Sequence, residues 1–564
     1  MLDLLSLTVI LPLLGAAGIL LLSGVISSVG RKRVYFRLLV GLLPITIVGL
    51  ASLVVLTGRG DGRIALASLY PSSLAESGVE LRWDSTLWPL GLGLSISSGC
   101  LLLATGGRRE GASHSVPVIL ALLGSGLASL WSGNPLTTMV SWALYDLMLA
   151  LGWVASGADR QEAVRVLMVG VGSGVLLWAG VAAQGAGVGS VAWGLLPAGG
   201  PGMVIWTIAG LVRIGAYPLH TWVPRRLPSG SAPTAMLLLS PLLGWGLWIR
   251  LLLAGDGGLP VARWMIAPAL LTLLAGSILA WTENEVRRSR GWISMAGNGT
   301  ILLATVLSHL RGAEAGALAL ASAGGMMLGA VGWMLSTTML FLGRSIHRDE
   351  GVDLIGWLWA VPSLIGALSL VGAPLTAGYV GVSSALSGVS KTRALGLLVG
   401  GFVGHLLVSA STARWLRSSD PSDGMGGGFL ERIAYGASLG GLGVAVVVFG
   451  VIPARVIAGE GFSPDLTLRG LLTGVPLAGW LMWGGGVLVG GMVGWLESGF
   501  RPRVSLWLDA LHDVVLLEWG YGLVAGAVEQ GLGMIRMMDA ILGGRAAILW
   551  SSVFLLIVVL MMVG

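Results

Sequence analysis

Apolar runs of roughly 20 residues recur along this chain from its first residues to its last, with only short polar stretches between them. An α-helix of about that length crosses a hydrocarbon core about 30 Å thick. Hydrophobic residues make up 55% of the 564 residues and charged residues only 11%, so no segment suits a soluble domain. The sequence therefore predicts an all-α polytopic membrane protein.

We expect about sixteen transmembrane helices, each wherever an apolar run reaches spanning length. The first run, Leu4 to Leu22, is expected to be a retained helix because no basic segment precedes it and no clear cleavage site follows. The predicted spans are 4–25, 36–57, 86–105, 115–132, 134–156, 163–184, 200–220, 234–254, 262–281, 292–309, 314–342, 353–388, 394–413, 435–456, 469–496 and 545–563.

Basic residues occupy alternating loops between the predicted spans. Loops rich in Arg and Lys stay on the cytoplasmic side of a membrane. We therefore expect a multi-pass protein of a bacterial or archaeal inner (cytoplasmic) membrane with its N-terminus outside. The net charge of +6 then reflects topology and not a nucleic-acid partner. The expected cytoplasmic residues are Arg31, Lys32, Arg33, Arg37, Arg108, Arg109, Arg160, Arg225, Arg226, Arg287, Arg288, Arg290, Arg344, Arg348 and Arg417.

The chain has one cysteine, Cys100, which excludes an intrachain disulfide and any zinc or iron–sulfur centre held by cysteines of this chain alone. Its six histidines are scattered over separate segments, and no phosphate-binding loop or nucleophile triad is present. We expect no cofactor, no metal and no catalytic residue in this chain. Any redox centre is expected in partner subunits.

Two stretches depart from simple spans. Apolar sequence in residues 200–234 is interrupted by Pro218, Pro224, Pro228 and Pro233, and a Val-Gly-Ala-Pro sequence at 371–374 divides the long run 353–388. Broken helices at corresponding places of two half-repeats indicate an ion path near the membrane midplane, because the freed backbone groups must face protein or water. The alternative is that these residues only kink their helices, since Pro and Gly are common in membrane helices.

The segment 503–540 is too polar to span a membrane, because it mixes apolar positions with several acidic and basic residues. We predict a lateral amphipathic helix or helix pair on the membrane surface or against a neighbouring subunit, followed by a last span at 545–563.

Residues 211–234 contain Pro218, His220, Trp222, Pro224 and an Ala-Pro-Thr sequence at 232–234. This pattern resembles a signature of the antiporter-like proton-channel subunits of respiratory complex I (NADH:quinone oxidoreductase) and of Mrp-type cation/proton antiporters. The resemblance extends over about residues 80–460. Further similar segments are Tyr145-Asp146, Glu162 to Arg165, Glu285 to Arg288, Ser294 to Gly299, Met339 to Leu342 and Gly372 to Tyr379.

The resemblance implies two inverted half-repeats with broken helices. We call 111–255 the first half and 256–415 the second half, which is degenerate. The remaining predicted domains are N-terminal helices at 1–110, additional helices at 416–502, the lateral segment at 503–544 and a last helix at 545–564. The resemblance also implies other membrane subunits as partners, with quinone and NADH handled by those partners.

Each half-channel in that family uses an acidic residue and a lysine, because a buried lysine gains or loses a proton when a nearby charge moves. This chain has two lysines, Lys32 and Lys391, and both lie in or beside loops. The first-half pair appears here as Asp146 and Arg213, and an arginine holds its proton at any accessible pH.

The matched second-half positions carry Thr337 and Val382 in place of ionisable groups. Trp245 or a neighbour stands where a lysine of the eighth span is usual, and Gly297 or Asn298 replaces a family histidine. The second half-channel is therefore expected to be lost.

The candidate residues for a proton path or ion pair are Asp146, Arg213, His405, Arg165 and His220. Asp146 and Arg213 are expected to pair, either as a fixed packing contact or as part of a surviving proton half-path, and the sequence leaves both open. His405 is a proton relay or a histidine bonded to a neighbouring helix. His220 matches the signature but lies at a helix end, where a histidine can simply be solvated.

Three functions follow as alternatives. The first is a membrane-arm subunit of a complex I-like enzyme, with proton translocation weakened by the missing lysines and a partly scaffolding role. The second is a subunit of a Mrp-type cation/proton antiporter, a membrane-bound hydrogenase or an inorganic-carbon uptake complex. The third is a purely structural membrane subunit. Fold-level likeness alone does not choose among them.

Overall fold

The computed structural model describes most of the chain and places it almost entirely in α-helices. The described residues are 4–27, 33–57, 63–67, 78–84, 86–106, 112–157, 159–184, 193, 200–220, 232–253, 263–312, 318–342, 354–392, 394–417, 429–452 and 472–542.

The described residues form eighteen α-helices, and the all-α fold class is confirmed. In chain order they are α1 (Leu4–Ser27), α2 (Arg33–Thr57), α3 (Trp88–Gly106), α4 (Ala112–Leu130), α5 (Pro135–Ala155), α6 (Arg160–Ala183), α7 (Pro201–Ile214), α8 (Ala232–Leu239), α9 (Pro241–Leu253), α10 (Ile266–Thr282), α11 (Val286–Gly312), α12 (Leu318–Leu342), α13 (Leu354–Leu370), α14 (Gly378–Thr392), α15 (Leu395–Arg417), α16 (Phe429–Val451), α17 (Leu477–Leu516) and α18 (Glu518–Leu542).

Within the described ranges, nine helices are long and apolar enough to cross a membrane, and six shorter apolar helices of 10–17 residues accompany them. The predicted span 234–254 is divided between α8 and α9 at Pro241, because a proline has no backbone N–H to continue the helical ladder. The predicted last span, 545–563, lies outside the described residues.

One short sheet departs from the prediction of helices and loops alone. Strands β1 (Arg63–Ala67) and β2 (Val79–Arg82) pair antiparallel between α2 and α3. The N–H of Glu80 donates to Thr137 Oγ1 at 2.8 Å, which ties the sheet to the start of α5. Backbone groups outside helices still need hydrogen-bond partners, and strands of four or five residues give only a weak sequence signal.

Both predicted interruptions are present. Helix α7 ends at Gly215, whose φ of 79° is a left-handed conformation, and whose N–H donates to the Leu211 carbonyl at 3.0 Å. Gly caps helices in this way because it has no Cβ to clash. Helices α13 and α14 are separated at residues 371–377, where Gly372 has a φ of 69° and Leu375 a φ of 71°.

Helix α5 begins where two sequence signals coincide. The side chain of Asn134 accepts a hydrogen bond from the N–H of Thr137 at 2.8 Å, and Pro135 occupies the first helical turn. Asn is a favoured N-cap, and the missing N–H of proline costs nothing in the first turn. This start places Asp146 near the middle of a helix of 21 residues.

The chain forms two compact units, Met1–Arg503 and Val504–Gly564. The predicted end of a span at 496 is wrong, because α17 continues through Pro502 to Leu516 as one helix of 40 residues. The second unit exposes Leu506, Trp507 and Val514. Its proposed partner surface stays a prediction.

Candidate functional site: a buried ion pair

Asp146 of α5 and Arg213 of α7 form an ion pair in the first half. Arg213 Nη1 lies 2.7 Å from Asp146 Oδ1 and 2.7 Å from Oδ2. The two side chains are only 4% and 3% exposed. A buried charge of this kind is tolerated only beside an opposite charge, so each residue explains the burial of the other.

Neighbouring helices are shaped around the pair. Arg213 lies in the last turn of α7, where a cation interacts favourably with the helix dipole. Gly170 of α6 faces the carboxylate so closely that a Cβ built there lies 2.2 Å from Asp146 Oδ2. Real Cβ atoms do not approach oxygens at that distance, so glycine is what lets α6 pass beside the charged side chain.

Two aromatic rings of α5 face the guanidinium. The Arg213 Cζ atom lies 5.0 Å from the centroid of the Trp142 ring and 5.6 Å from that of the Tyr145 ring. Trp142 Nε1 donates to Ser129 Oγ at 2.8 Å, and the Tyr145 hydroxyl donates to the Met236 carbonyl at 2.8 Å. Each ring thus has its polar group satisfied while its face contacts the cation.

The guanidinium keeps donors to spare. In the part of the chain that the structure describes, Arg213 Nε and Nη2 have no hydrogen-bond partner. Those two nitrogens carry three of the five N–H groups of an arginine. Buried donors without protein partners are usually satisfied by water, so the N–H groups of Arg213 Nε and Nη2 can bind water molecules.

His220 and Arg165, the other two candidates of the first half, have described contacts with further residues. His220 is buried in the segment after α7, where its ring stacks on Tyr217 at 5.2 Å between centroids and meets the edge of Trp292 at 5.8 Å. Arg165 on α6 has its Nη1 3.9 Å from Glu162 Oε2. Their predicted roles in a proton path stay predictions.

His405 lies in α15 of the second half and lines a small cavity. The centre of a water molecule could occupy about 20 Å³ of this cavity. Thr300, Val382 and Leu370 also line it. That volume exceeds the roughly 10–15 Å³ needed for one water. His405 Nε2 is buried, and it has no hydrogen-bond partner among the residues that the structure describes.

The positions that lack family lysines carry no charge in this fold. Thr337 Oγ1 donates to the carbonyl of Trp333 in its own helix at 2.7 Å. Gly297 is packed so tightly that a Cβ there lies 1.6 Å from the ring of Trp333, which leaves no space for a histidine. Val382 is buried and lines the cavity.

Asn298 instead connects the two halves. Its Nδ2 donates to the Ile214 carbonyl at 2.9 Å, and its Oδ1 accepts from Trp245 Nε1 at 3.4 Å. Ile214 directly follows Arg213. Asn298 therefore holds the backbone beside the ion pair.

Sequence reasoning missed a second buried arginine, Arg250 near the end of α9. Its Nη1 donates to the Ser129 carbonyl at 3.2 Å and to Ser132 Oγ at 2.6 Å, and its Nη2 donates to the Leu130 carbonyl at 2.5 Å. Its Nε lies 3.9 Å from Asp84 Oδ2. The signal was available, since this arginine stands inside an apolar run where a charge needs partners.

A comparable cluster at the end of α10 was also missed. Arg414 Nη1 and Arg501 Nη1 both donate to the Trp281 carbonyl at 3.1 Å. Arg501 is also paired with the buried Glu497, whose Oε1 lies 3.6 Å from Arg414 Nε. Arginines of α15 and α17 therefore satisfy carbonyls that α10 leaves unbonded at its C-terminus.

Arg290, expected in a loop, lies inside α11 instead. It is buried, its Nη1 donates to the Phe341 carbonyl at 3.2 Å, and its Cζ lies 5.7 Å from the Trp415 ring centroid. The sequence prediction began this helix six residues too late because arginines open it.

In the described ranges, no group of three or more His, Cys, Asp or Glu residues is placed to hold a metal ion.

The chemistry available at the pair is limited. Asp146 can accept a proton, whereas the Arg213 guanidinium stays protonated and acts as a fixed charge. A proton on Asp146 removes the negative charge that faces Arg213. The affinity of Asp146 for a proton therefore rises when the guanidinium moves away and falls when it comes close.

Residues 201–407 match the family described as NADH:quinone oxidoreductase/Mrp antiporter, TM. The chain is 29% identical over 377 residues to NADH-quinone oxidoreductase subunit N of Chromohalobacter salexigens, which covers 60% of this chain and 75% of that protein. It is 27% identical over 221 residues to the subunit N of Rhodococcus opacus, which covers 37% of this chain and 39% of that protein.

Three solved structures share the fold. A chain of the Mrp complex from Dietzia has a TM-score of 0.75 at 18% identity, with 99% of this chain and 62% of that chain covered. A chain of the archaeal membrane-bound sulfane sulfur reductase has a TM-score of 0.70 at 15% identity, covering 99% of this chain and 100% of that chain. A chain of respiratory complex I from Thermus thermophilus has a TM-score of 0.59 at 17% identity, covering 82% of this chain and 99% of that chain.

The matched region contains Arg213, His220 and His405, whereas Asp146 and Arg165 precede it. The expected resemblance is confirmed. The chain is thus similar to the antiporter-like membrane subunits of complex I and of Mrp antiporters, and it carries their NADH:quinone oxidoreductase/Mrp antiporter transmembrane region over residues 201–407.

Proposed function

We propose that this chain is a membrane-arm subunit of a complex I-like NADH:quinone oxidoreductase, contributing a proton half-path in its first half and a scaffold in its second. The observation that carries the proposal is the buried Asp146–Arg213 pair. Two nitrogens of Arg213 have no partner within the described residues, so the buried pair can still accept further hydrogen-bond partners. Unbonded buried donors favour a site that takes up water.

Asp146 is the proton acceptor in this proposal. Arg213 cannot exchange its own proton, so it acts by position, holding the carboxylate charged when close and letting it bind a proton when displaced. This differs from a lysine-based half-channel, in which both partners exchange protons. The second half, with Thr337 and Val382 at the matched positions, has no charged group there to continue the path.

The remaining assignments complete the proposal. Electron transfer between NADH and quinone takes place in partner subunits, since this chain offers no ligand set for a redox centre of its own. The chain resides in an inner (cytoplasmic) membrane with its N-terminus outside, as the alternation of basic loops favours. His405 serves at most as a local relay in the second half.

The test is Asp146→Asn in the native complex, with proton translocation measured per electron transferred. Asn keeps the size of the side chain and cannot bind a proton at neutral pH. We expect the ratio to fall clearly while electron transfer continues. Asp159→Asn is the control, because Asp159 is an exposed N-cap of α6 and Asn caps equally well. An unchanged ratio in Asp146→Asn contradicts the half-path and supports a scaffold throughout.

A subunit of a Mrp-type cation/proton antiporter is the second candidate. It is favoured by the Dietzia Mrp chain, which matches 99% of this chain at a TM-score of 0.75. Purification of the tagged native chain separates the two functions. Co-purifying dehydrogenase subunits support the oxidoreductase, and Na⁺-driven proton exchange by vesicles holding the purified assembly supports the antiporter.

A further inference from the structure

We propose that Arg250 is a positioning residue for the ion pair, acting on Arg213 through Ser129 and Trp142. The inference rests on the proposed role of the pair in proton transfer. Arg250 does not touch the pair itself. Its influence passes through four contacts in the first half, each of which joins a different pair of helices or side chains.

The first contact fixes the end of α4. Arg250 is buried, and it donates to the carbonyls of Ser129 and Leu130 at 3.2 Å and 2.5 Å. The last carbonyls of a helix have no partner within the helix and carry partial negative charge. A guanidinium with several rigid donors can bond more than one of them, so α9 holds the end of α4 in one position.

The second contact passes from α4 to α5. Ser129, whose carbonyl Arg250 binds, accepts the indole N–H of Trp142 on its Oγ at 2.8 Å. Ser132 Oγ, bonded to Arg250 at 2.6 Å, also lies 2.5 Å from Thr138 Oγ1 of α5. The indole has one polar group, and its partner is a residue whose backbone Arg250 holds.

The third contact is the ring of Trp142 against Arg213. The 5.0 Å separation between Arg213 Cζ and the ring centroid is in the range of a cation–π contact. Within the described residues the guanidinium makes hydrogen bonds only through Nη1 to Asp146, so the ring faces are what limit its rotation. A tilt of Trp142 therefore moves the guanidinium relative to the carboxylate.

The fourth contact returns to α7 from the helix that carries Arg250. Trp248 Nε1 of α9 donates to the Thr207 carbonyl of α7 at 3.3 Å. A Cβ at Gly210 of α7 would lie 2.3 Å from Trp248 Cδ1, so the two helices are in close contact. Helix α9 thus holds both sides of the pair, α7 directly and α5 through α4.

Arg414 provides a matched comparison in the second half. It lies in the last turn of α15 and donates to the carbonyls of Trp281, in the last turn of α10, and Asn284, just after that helix, both at 3.1 Å. It therefore has the same local role as Arg250, on a helix of the other half. Loss of either arginine exposes helix-end carbonyls, but only Arg250 connects to the ion pair through the contacts above.

The experiment compares Arg250→Gln, Arg250→Lys and Arg414→Gln in the native complex by two measurements. The first is the indole N–H signal of Trp142 in NMR spectra, assigned by its loss in Trp142→Phe. The second is proton translocation per electron. We expect Arg250→Gln to shift the Trp142 signal and to lower the translocation ratio clearly, because misplacing a reacting group by about 1 Å slows its step by up to about 100-fold. Lysine restores charge and should rescue part of both.

Arg414→Gln should leave the Trp142 signal and the translocation ratio unchanged while lowering thermal stability. If Arg250→Gln does not fold, Ser132→Ala tests the same arginine, because it removes the hydroxyl that Arg250 Nη1 binds and keeps the Ser129 hydroxyl that accepts the indole N–H. The inference is overturned if the Trp142 signal is unaltered in the folded variant, or if Arg414→Gln shifts it equally. Failure of the proposed function gives a different result. In that case Arg250→Gln still shifts the Trp142 signal, but Asp146→Asn translocates protons normally.

Discussion

The first half of this chain buries a charged pair, and the second half buries a cavity lined mostly by apolar side chains. In the first half, Asp146 and Arg213 are nearly inaccessible and are surrounded by aromatic rings. In the second half, Val382 and Leu370 line the cavity, and His405 is its one titratable side chain. Helices can therefore pack closely around either an ion pair or a mostly apolar cavity, because packing depends on shape whereas proton transfer depends on ionisable groups.

Asp146→Leu should give the largest effect, since it leaves the guanidinium of Arg213 buried and unpaired. We expect a loss of about 3–5 kcal/mol in the free energy of unfolding, the cost of breaking a buried pair. The double variant Asp146→Leu with Arg213→Leu should recover most of that stability and translocate no better. Thermal unfolding in detergent measures both. Equal stability of Asp146→Leu and the wild type would contradict the prediction that the buried pair distinguishes the first half in stability.

Gly170→Ala should have the next largest effect. The added methyl group would lie 2.2 Å from Asp146 Oδ2, so α6 or the carboxylate must move, at about 1–3 kcal/mol. Gly172→Ala on the same helix is the control, because a Cβ there meets nothing within 4 Å. Alanine at that position should stabilise the helix slightly. Similar melting temperatures for the two variants would argue against a tight fit around the pair.

Arg501→Gln tests whether the buried charges around the C-terminus of α10 contribute to stability alone. Arg501 pairs with Glu497 and donates to the carbonyls of Thr282 and Glu283 at 2.7 Å and 3.0 Å. We expect a loss of about 1–3 kcal/mol, because buried acceptors and a buried carboxylate lose donors. Arg503→Gln, at an exposed position two residues further along the same helix, should be neutral. Proton translocation per electron should change in neither variant.

Thr337→Val should have the smallest effect. Among the hydrogen bonds of the described ranges, the Thr337 hydroxyl makes one to a carbonyl of its own helix, and the two side chains have nearly the same shape. We expect a change of no more than about 1 kcal/mol in stability and no change in proton translocation. A clear loss of translocation would show that the second half conducts protons without charged side chains, and the contrast between the halves would then fail.

Much of the fold could be predicted from the sequence because apolar length and the positions of Pro and Gly act locally. The interruption after Arg213 follows from Gly215 and the prolines beyond it, and that between α13 and α14 from Gly372 and Pro374. The strands β1 and β2 and the continuation of α17 past residue 496 were missed. Their formation depends on tertiary hydrogen bonds or on a tolerated helix proline, and neither has a strong local pattern.

The site was predicted in part for the same reason. A mid-helix aspartate needs a cation, and Arg213 was the arginine of the matched signature that fell inside a predicted span, so their pairing could be foreseen. The partners of Arg250 and Arg501 are mostly backbone carbonyls at the ends of other helices. Every residue has a carbonyl, so nothing in the sequence marks which ones an arginine will bind.

Asn298 joins the second half directly to the backbone of the ion pair in the first half. Its amide holds the carbonyl of Ile214, the residue that follows Arg213, from a helix on the other side of the boundary between the halves. A displacement of α11 therefore pulls on the backbone that carries the guanidinium. In our proposal the second half supports the backbone of the first half, in which Asp146 binds a proton, although Thr337 and Val382 give the second half no charge at the matched positions.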